Sequence, residues 1–150
     1  MQHKVKTLRK CLIEALNQSL PESSDFDLND DLPSFFSADF REAAVLIAIN
    51  DINNNPRVIL TKRSSTLENH PGQIAFPGGK IDADDKTAIN AALREAKEEV
   101  SLSQGRVEVL GCLPQHTTIT QFRVTPVVGL INGPFIPKIE ENEVEEVFSL

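Results

Sequence analysis

Three glutamates lie close together in the segment REAKEE at residues 94–99. If this segment is helical, at about 100° per residue, the three carboxylates share one flank next to the apolar side of the helix. Glu95 and Glu99 are then i, i+4 neighbours, and like charges at that spacing destabilise a helix. A hard divalent cation, which prefers oxygen ligands, would compensate for this repulsion. The alternative is a solvated helix face with salt bridges; in either case Arg94 lies i, i+4 from Glu98 and can hold its carboxylate.

The helix that carries these glutamates is predicted to run from Asp84 to Val100. Asp84 or Asp85 can cap its N-terminus, and both carboxylates complement the positive end of the helix. Its apolar stripe recurs at helical spacing and consists of Ile89, Leu93, Ala96 and Val100. The segment in front of it, from Ser64 to Gly79, is irregular and polar.

Several strand-like runs surround this helix. Residues 43–50 and 57–63 predict a hairpin, since residues 51–56 (DINNNP) have strong turn chemistry. Further strand-like runs occupy residues 106–114, 123–131 and 143–150, although Pro126 argues against an uninterrupted central ladder. This order of elements predicts a mixed sheet with helices packed on it.

The N-terminal part of the chain is predicted to contain a helix over residues 1–20 and a connector over residues 21–42. Apolar residues recur at helical spacing in the first segment, and Ser, Asp and Pro dominate the second. Basic residues near the start also fit a weak targeting helix, but an ordinary amphipathic helix is the favoured interpretation. Residues 43–150 would then form the core of a single domain.

Composition excludes several classes of function. The chain has 150 residues, a net charge of −7 and neither Trp nor Tyr, so we expect no nucleic-acid partner. No apolar run approaches the roughly 20 residues of a membrane helix, so we expect no membrane partner. Cys11 and Cys112 match no metal-ligand spacing, and two reduced thiols favour a cytoplasmic location.

Two long motifs in the right order resemble the Nudix hydrolases. The stretch GGKIDADDKTAINAALREAKEEVSL resembles the Nudix box of that family. The positions that match the pattern of the box are Gly79, Arg94, Glu95, Ala96, Glu98, Glu99 and Leu102. The preceding stretch ILTKRSSTLENHPGQIAFPGG, at residues 59–79, is similar to the signature of the coenzyme A pyrophosphatase branch, as is TQFRVTPVVGLI at residues 120–131. The resemblance covers roughly residues 43–148.

The chain departs from the pattern at three positions. Asp85 replaces the first glutamate of the box, with one extra residue before Arg94, as in the coenzyme A branch. Ser101 replaces a glycine that ends the helix, and serine tolerates a positive φ less well, so a different helix end is expected. Glu68 stands where the branch usually has arginine, and a carboxylate there would repel substrate phosphates.

The resemblance implies a Nudix-type α/β/α sandwich around a mixed β-sheet. The family usually closes this sandwich with a late helix, so either the N-terminal helix covers that sheet face or the domain lacks its C-terminal helix. A domain with an uncovered face would associate, which leaves a homodimer open. The implied reaction is metal-dependent hydrolysis of a diphosphate linkage, with coenzyme A or a derivative giving 3′,5′-ADP and 4′-phosphopantetheine. Two alternatives are the same chemistry on ADP-ribose or another nucleotide, and a binding module without catalysis.

The resemblance also implies roles for individual residues. Glu95 and Glu99 would be the principal ligands of Mg²⁺ or Mn²⁺, Glu98 a further ligand or the general base, and Arg94 a residue that orients the carboxylates. The residues expected to bind a nucleotide-type substrate are Arg63, His70, Gln73, Gly78 and Gly79. Each of these residues also has an interpretation without a ligand. The arginine can be a surface charge at a strand end, the histidine and glutamine can lie in an exposed loop, and the glycines can form a turn or a bulge.

The late acidic tail is interpreted as a polar strand edge or a solvated loop. The alternative is that Glu140, Glu141 or Glu143 reaches the site as general base.

Overall fold

The computed structural model describes residues 2–28, 39–139 and 142–150, and residues 2–6 by their backbone alone. Two α-helices lie in these ranges, α1 (Gln2–Leu16) and α2 (Ala88–Val100). Three short 3₁₀ turns lie at Asp25–Leu28, Ala83–Asp85 and Gln104–Arg106. The strands are β1 (Ser23–Ser24), β2 (Arg41–Ile52), β3 (Asn55–Arg63), β4 (Ile74–Ala75), β5 (Gly78–Lys80), β6 (Val107–Cys112), β7 (His116–Thr117), β8 (Phe122–Ile131) and β9 (Val144–Ser149).

The strands form a mixed sheet, as the order of elements predicted. The hydrogen-bonded order is β1-β7-β8-β2-β3-β4, while β5 pairs with β2, β6 with β8 and β9 with β3. The long strands β2 and β8 are parallel neighbours, and β3 and β5 are antiparallel to β2. The predicted hairpin is present as β2 and β3. Asn53 and Asn54 join its strands with φ values of 51° and 62°, which match the type I′ turn that suits twisted strands.

Pro126 lies within β8. The interruption of the hydrogen-bond ladder that a proline predicts occurs on one side of this strand only. The parallel pairing with β2 continues through Pro126, which lies opposite Val45. The carbonyl oxygen of Pro126 accepts a hydrogen bond from the Leu113 N–H at 2.9 Å, on the side of β6. Since N–H and C=O of one residue point to the same side of a strand, the missing N–H costs β2 no ladder bond. It falls instead where the other neighbour of β8 changes from β7 to β6.

Helices cover both faces of the sheet. Alternate residues of β2 point to opposite faces: Ala44 and Leu46 pack in the core cluster with α2, whereas Ile49 packs in a second cluster with α1. The residues of α1 in that second cluster are Leu8, Leu12 and Leu16. The α/β/α sandwich is therefore confirmed, with the N-terminal helix on the second face. Within the described residues, no helix combines the length and the apolar character needed to cross a membrane.

A clasp of three side chains, Ser23, Asp25 and His116, fastens the N-terminal connector to β7. Ser23 Oγ lies 2.8 Å from His116 Nδ1, and His116 Nε2 lies 2.9 Å from Asp25 Oδ1. The other carboxylate oxygen of Asp25 accepts the Ile119 N–H at 2.8 Å. The Ile119 N–H, followed by the hydrogen bond and the charge of His116, lowers the pKa of Asp25 despite its partial burial.

Replacement of Asp25 by asparagine should therefore destabilise the protein in a pH-dependent way. A carboxyl group with a lowered folded-state pKa adds stability above its unfolded pKa, and this stability is lost as pH falls through the folded pKa. We expect Asp25→Asn to reduce the free energy of unfolding by about 1 kcal/mol at pH 7, since the clasp is partly exposed. Urea unfolding at pH 7 and below pH 4 measures this. The exposed Asp39, replaced by asparagine, is the matched control. A deficit equal at both pH values would contradict the expectation.

Candidate metal and substrate site

Arg94 in the middle of α2 organises four surrounding acidic groups. Its Nε and Nη2 donate to the two oxygens of Asp85 at 2.7 and 2.9 Å. Its Nη1 donates to Glu95 Oε1 and to Glu98 Oε2, both at 3.1 Å. A fourth carboxylate, that of Asp82, lies 3.4 Å from Nη2. A planar guanidinium suits such a fork, and these contacts hold Arg94 among the four carboxylates.

Asp85 does not cap α2 as the sequence predicted. The helix begins at Ala88, and Thr87 is its cap, because the Thr87 side chain accepts the Asn90 N–H at 3.1 Å. Asp85 instead lies in the preceding 3₁₀ turn, with its side chain 5% exposed. The hydrogen bonds from Arg94 outweigh the effect of burial and lower the pKa of Asp85. Its carboxylate therefore stays charged and holds Arg94.

Three carboxylates converge beside α2. Glu95, Glu99 and Glu143 each offer an oxygen, and these oxygens lie within 4.8 Å of one another. Glu99 is 5% exposed, and burial together with the charge of Glu95 raises its pKa to about 8. Burial also raises the pKa of Glu95, although Arg94 opposes this. Glu98 lies outside this group, with a side chain 55% exposed and turned to Arg94.

Glu143 reaches this group from the other end of the chain. Its backbone carbonyl accepts the Ser64 N–H at 3.0 Å, just where β9 pairs with the end of β3. The favoured interpretation of the acidic tail fits Glu145 and Glu146, which are exposed on β9, and Glu143, which is exposed in the turn before β9. The Glu143 carboxylate nevertheless comes close to Glu95 and Glu99. Glu140 and Glu141 lie outside the described residues.

The donor chemistry of the three carboxylates fits a hard divalent cation. All the ligand atoms are oxygens, as Mg²⁺ and Mn²⁺ prefer. Two of the three groups have raised pKa values because burial and like charges disfavour their ionised forms. A bound cation would remove that penalty and invert the local field. Glu95, Glu99 and Glu143 are therefore the residues that would hold the metal.

One pocket of about 560 Å³ borders this carboxylate group. It is lined by all five residues that the sequence singled out for substrate: Arg63, His70, Gln73, Gly78 and Gly79. Other residues of its wall were missed by the sequence reasoning: Arg41, Phe76, Lys80, Thr120 and Phe122. The volume lies in the range of small-molecule sites in proteins. The structure thus brings the expected substrate residues together in one place.

Gly78 and Gly79 form the boundary between the pocket and the carboxylates. They are not a turn, since they belong to β5 and pair with Val45 and Ala44. The Gly78 N–H donates a hydrogen bond to the Glu99 carboxylate. A Cβ atom on Gly79 would lie 2.6 Å from Glu95 Oε1. Glycine therefore lets the strand approach the carboxylates on this side.

A sequence model of one protein family, described as NUDIX domain, matches residues 40–150. The chain belongs to the Nudix family. Among curated relatives, an uncharacterised Nudix hydrolase NudL from Enterobacter sp. strain 638 is 44% identical, over 86% of this chain and 71% of the relative. The protein of the same name from Escherichia coli K12 is 48% identical over 73% of this chain, which matches only 57% of that relative's length. Both relatives are named hydrolases, so this Nudix chain belongs to a family of hydrolases.

A solved structure confirms the Nudix fold independently of the sequence. The binary complex of an Ap4A hydrolase from C. elegans superposes with a TM-score of 0.62 at 18% identity. The match covers 71% of this chain and 77% of that chain. At this identity the likeness shows the fold alone.

The Nudix helix ends in a left-handed conformation despite its serine. Ser101 has φ 61° and ψ 31°, and its N–H donates to the carbonyl oxygens of Ala96 and Lys97. The expectation that the helix would end differently was therefore wrong. The Ser101 hydroxyl also donates to the Lys138 carbonyl oxygen at 3.3 Å, a bond that glycine could not make.

Proposed function

We propose that this Nudix chain hydrolyses the diphosphate linkage of a nucleoside diphosphate derivative, with coenzyme A or a coenzyme A derivative as substrate. The observation that carries the proposal is the junction of a pocket with cationic walls and a group of three carboxylates. Arg63, Gly78 and Gly79 belong to both, since they line the pocket and contact or influence Glu95 and Glu99. A diphosphate bound there would bridge the pocket and the metal site.

Arg63 supplies the clearest need for an anionic ligand. Its Nε is buried and has no hydrogen-bond acceptor among the described residues. Arg63 also lines the pocket, and the N–H fork of its guanidinium suits phosphate oxygens and their negative charge. Arg63 also stabilises the charged form of Glu99 through its positive charge. We assign Arg63 to the diphosphate of the substrate.

The carboxylates beside α2 are assigned to metal binding and to positioning. A divalent cation at this site would neutralise phosphate charge and lower the pKa of the attacking water. Glu95, Glu99 and Glu143 would hold it, while Arg94 and Asp85 keep Glu95 in place. Glu98, expected as a ligand or base, is fastened to Arg94 instead, so Glu143 takes its place as third ligand in this proposal.

Incubation with a panel of nucleotides, with and without Mg²⁺ or Mn²⁺, tests the proposal. We expect coenzyme A to yield 3′,5′-ADP and 4′-phosphopantetheine only when metal is present, as measured by chromatography of the products. Cleavage of ADP-ribose or Ap4A but not of coenzyme A would show that the proposed substrate is wrong, while the proposed diphosphate hydrolysis would stand. No cleavage of any member, with metal bound, would favour a binding module.

The cytoplasmic location, the homodimer, and the division into residues 1–20, 21–42 and 43–150 stay predictions.

A further inference from the structure

Two cations, Arg41 and Lys80, stand together at the end of the pocket away from Gly78. Lys80 pairs with Ala43 across β2 and β5, and Arg41 is two residues before Ala43 on β2. Strand geometry therefore puts Arg41, Ala43 and Lys80 on one face of the sheet. Both cations line the pocket. Lys80 directly follows Gly79, and its carbonyl oxygen accepts a hydrogen bond from Arg94 Nη2 at 3.2 Å. Since side chains alternate along a strand and Gly79 faces Glu95, the Lys80 side chain lies on the other face.

Neither cation is neutralised by a carboxylate among the described residues. Some other cations of the described residues are paired, such as Arg123 with Glu42 and Lys62 with Glu145. The described wall of the pocket contains Arg41, Arg63 and Lys80 but no acidic side chain. In a chain of net charge −7, a wall that is only cationic favours an anionic ligand.

Phe122 fixes the orientation of Arg41. The Arg41 guanidinium lies 4.2 Å from the centroid of the Phe122 ring, and the two residues are partners in the β2–β8 ladder. A cation held over an aromatic face loses little freedom when it binds a second group, and its N–H fork stays open to phosphate oxygens. The ring of Phe76, also in the wall, offers an apolar surface for a nucleobase.

We propose that Arg41 and Lys80 form a second phosphate subsite, which selects nucleotides that carry a phosphate on the ribose in addition to the diphosphate. This inference rests on the proposed function and sharpens its substrate class. The diphosphate would lie at Arg63, next to the carboxylates, and the ribose phosphate at Arg41 and Lys80. Coenzyme A has such a group at its 3′ position. Dephospho-coenzyme A lacks it and is otherwise identical.

The decisive comparison is kcat/KM for coenzyme A and for dephospho-coenzyme A. We expect wild type to prefer coenzyme A by about tenfold or more, since charge-assisted hydrogen bonds to one phosphate are lost without it. Arg41→Gln and Lys80→Gln should each lower kcat/KM for coenzyme A more than kcat/KM for dephospho-coenzyme A and so reduce this preference. Lys97→Gln, which removes the same charge from an exposed position of α2, should leave the preference intact.

A binding measurement separates this inference from the proposed function. In EDTA, 3′,5′-ADP should bind wild type more tightly than 5′-AMP by a similar factor, and Arg41→Gln should reduce the difference. One outcome is that coenzyme A is cleaved, but kcat/KM is equal for coenzyme A and dephospho-coenzyme A, and affinity is equal for 3′,5′-ADP and 5′-AMP. The subsite is then wrong and the hydrolase proposal stands. If coenzyme A is not cleaved but the nucleotides are distinguished through Arg41, the subsite stands and the proposed substrate fails. An equal loss with Lys97→Gln would overturn the subsite.

Discussion

Glu99→Gln is expected to lower kcat by at least about 100-fold while leaving the protein folded. Glu99 is the most buried of the three converging carboxylates, at 5% exposed, and an amide is a much poorer ligand for a hard cation. The substitution keeps the size of the side chain, and it removes a charge that burial and Glu95 already disfavour. In EDTA the variant should therefore unfold at a temperature no lower than that of wild type.

The increase in stability caused by bound metal distinguishes a metal ligand from a residue that only supports the fold, because loss of the latter would not change this increase. Mn²⁺ at about 100 times its Kd should stabilise wild type by roughly 2.7 kcal/mol, and this gain should shrink in Glu99→Gln and Glu143→Gln. Glu98→Gln is the matched control on the same helix, because its carboxylate is half-exposed and turned to Arg94. If Glu98→Gln abolishes the Mn²⁺ effect and Glu143→Gln does not, the assignment of the third ligand is wrong.

Features encoded by neighbouring residues could be predicted from the sequence. The hairpin of β2 and β3 follows from apolar runs around DINNNP, and the Glu95–Glu99 pair follows from helical spacing. Asp85 shows where local signals compete. An aspartate just before a helix is typical of a cap, but Thr87 is nearer to the helix and satisfies its N–H groups. The Asp85 side chain therefore turns to Arg94, nine residues later.

Features that depend on pairing between distant strands could not be predicted in this way. Glu143 joins the carboxylates only because β9 adds to the sheet beside β3. Arg41 and Phe122, at the start of β2 and of β8, meet through a parallel ladder between strands about 80 residues apart. Nothing in the composition of either segment reports the register of such a ladder. The wall residues that were predicted all lie in the stretch 59–79, whereas Arg41 lies outside every motif stretch.

Gly79→Ala is expected to separate activity from folding. A Cβ atom there would lie 2.6 Å from Glu95 Oε1 and 2.8 Å from Cδ. These atoms belong to the end of a side chain, so Glu95 can rotate away and the strand need not move. That rotation would break the bond from Arg94 Nη1 and misplace a metal ligand by about 1 Å, which costs on the order of 100-fold in kcat/KM. The stability cost should stay within the roughly 1–3 kcal/mol of an overpacked site.

Gly78→Ala should differ from Gly79→Ala because the added Cβ atom would meet backbone atoms. A Cβ on Gly78 would lie 2.7 Å from Val45 Cα and also meet the Ala44 carbonyl oxygen. Because backbone atoms cannot rotate away, Gly78→Ala should displace β5 and lower the melting temperature further than Gly79→Ala does. Gly105→Ala, where no atom lies within 4 Å of the new Cβ, should change neither activity nor stability. Gly79→Ala with full activity would show that Glu95 is not fixed by β5, and the site would then need a different first ligand.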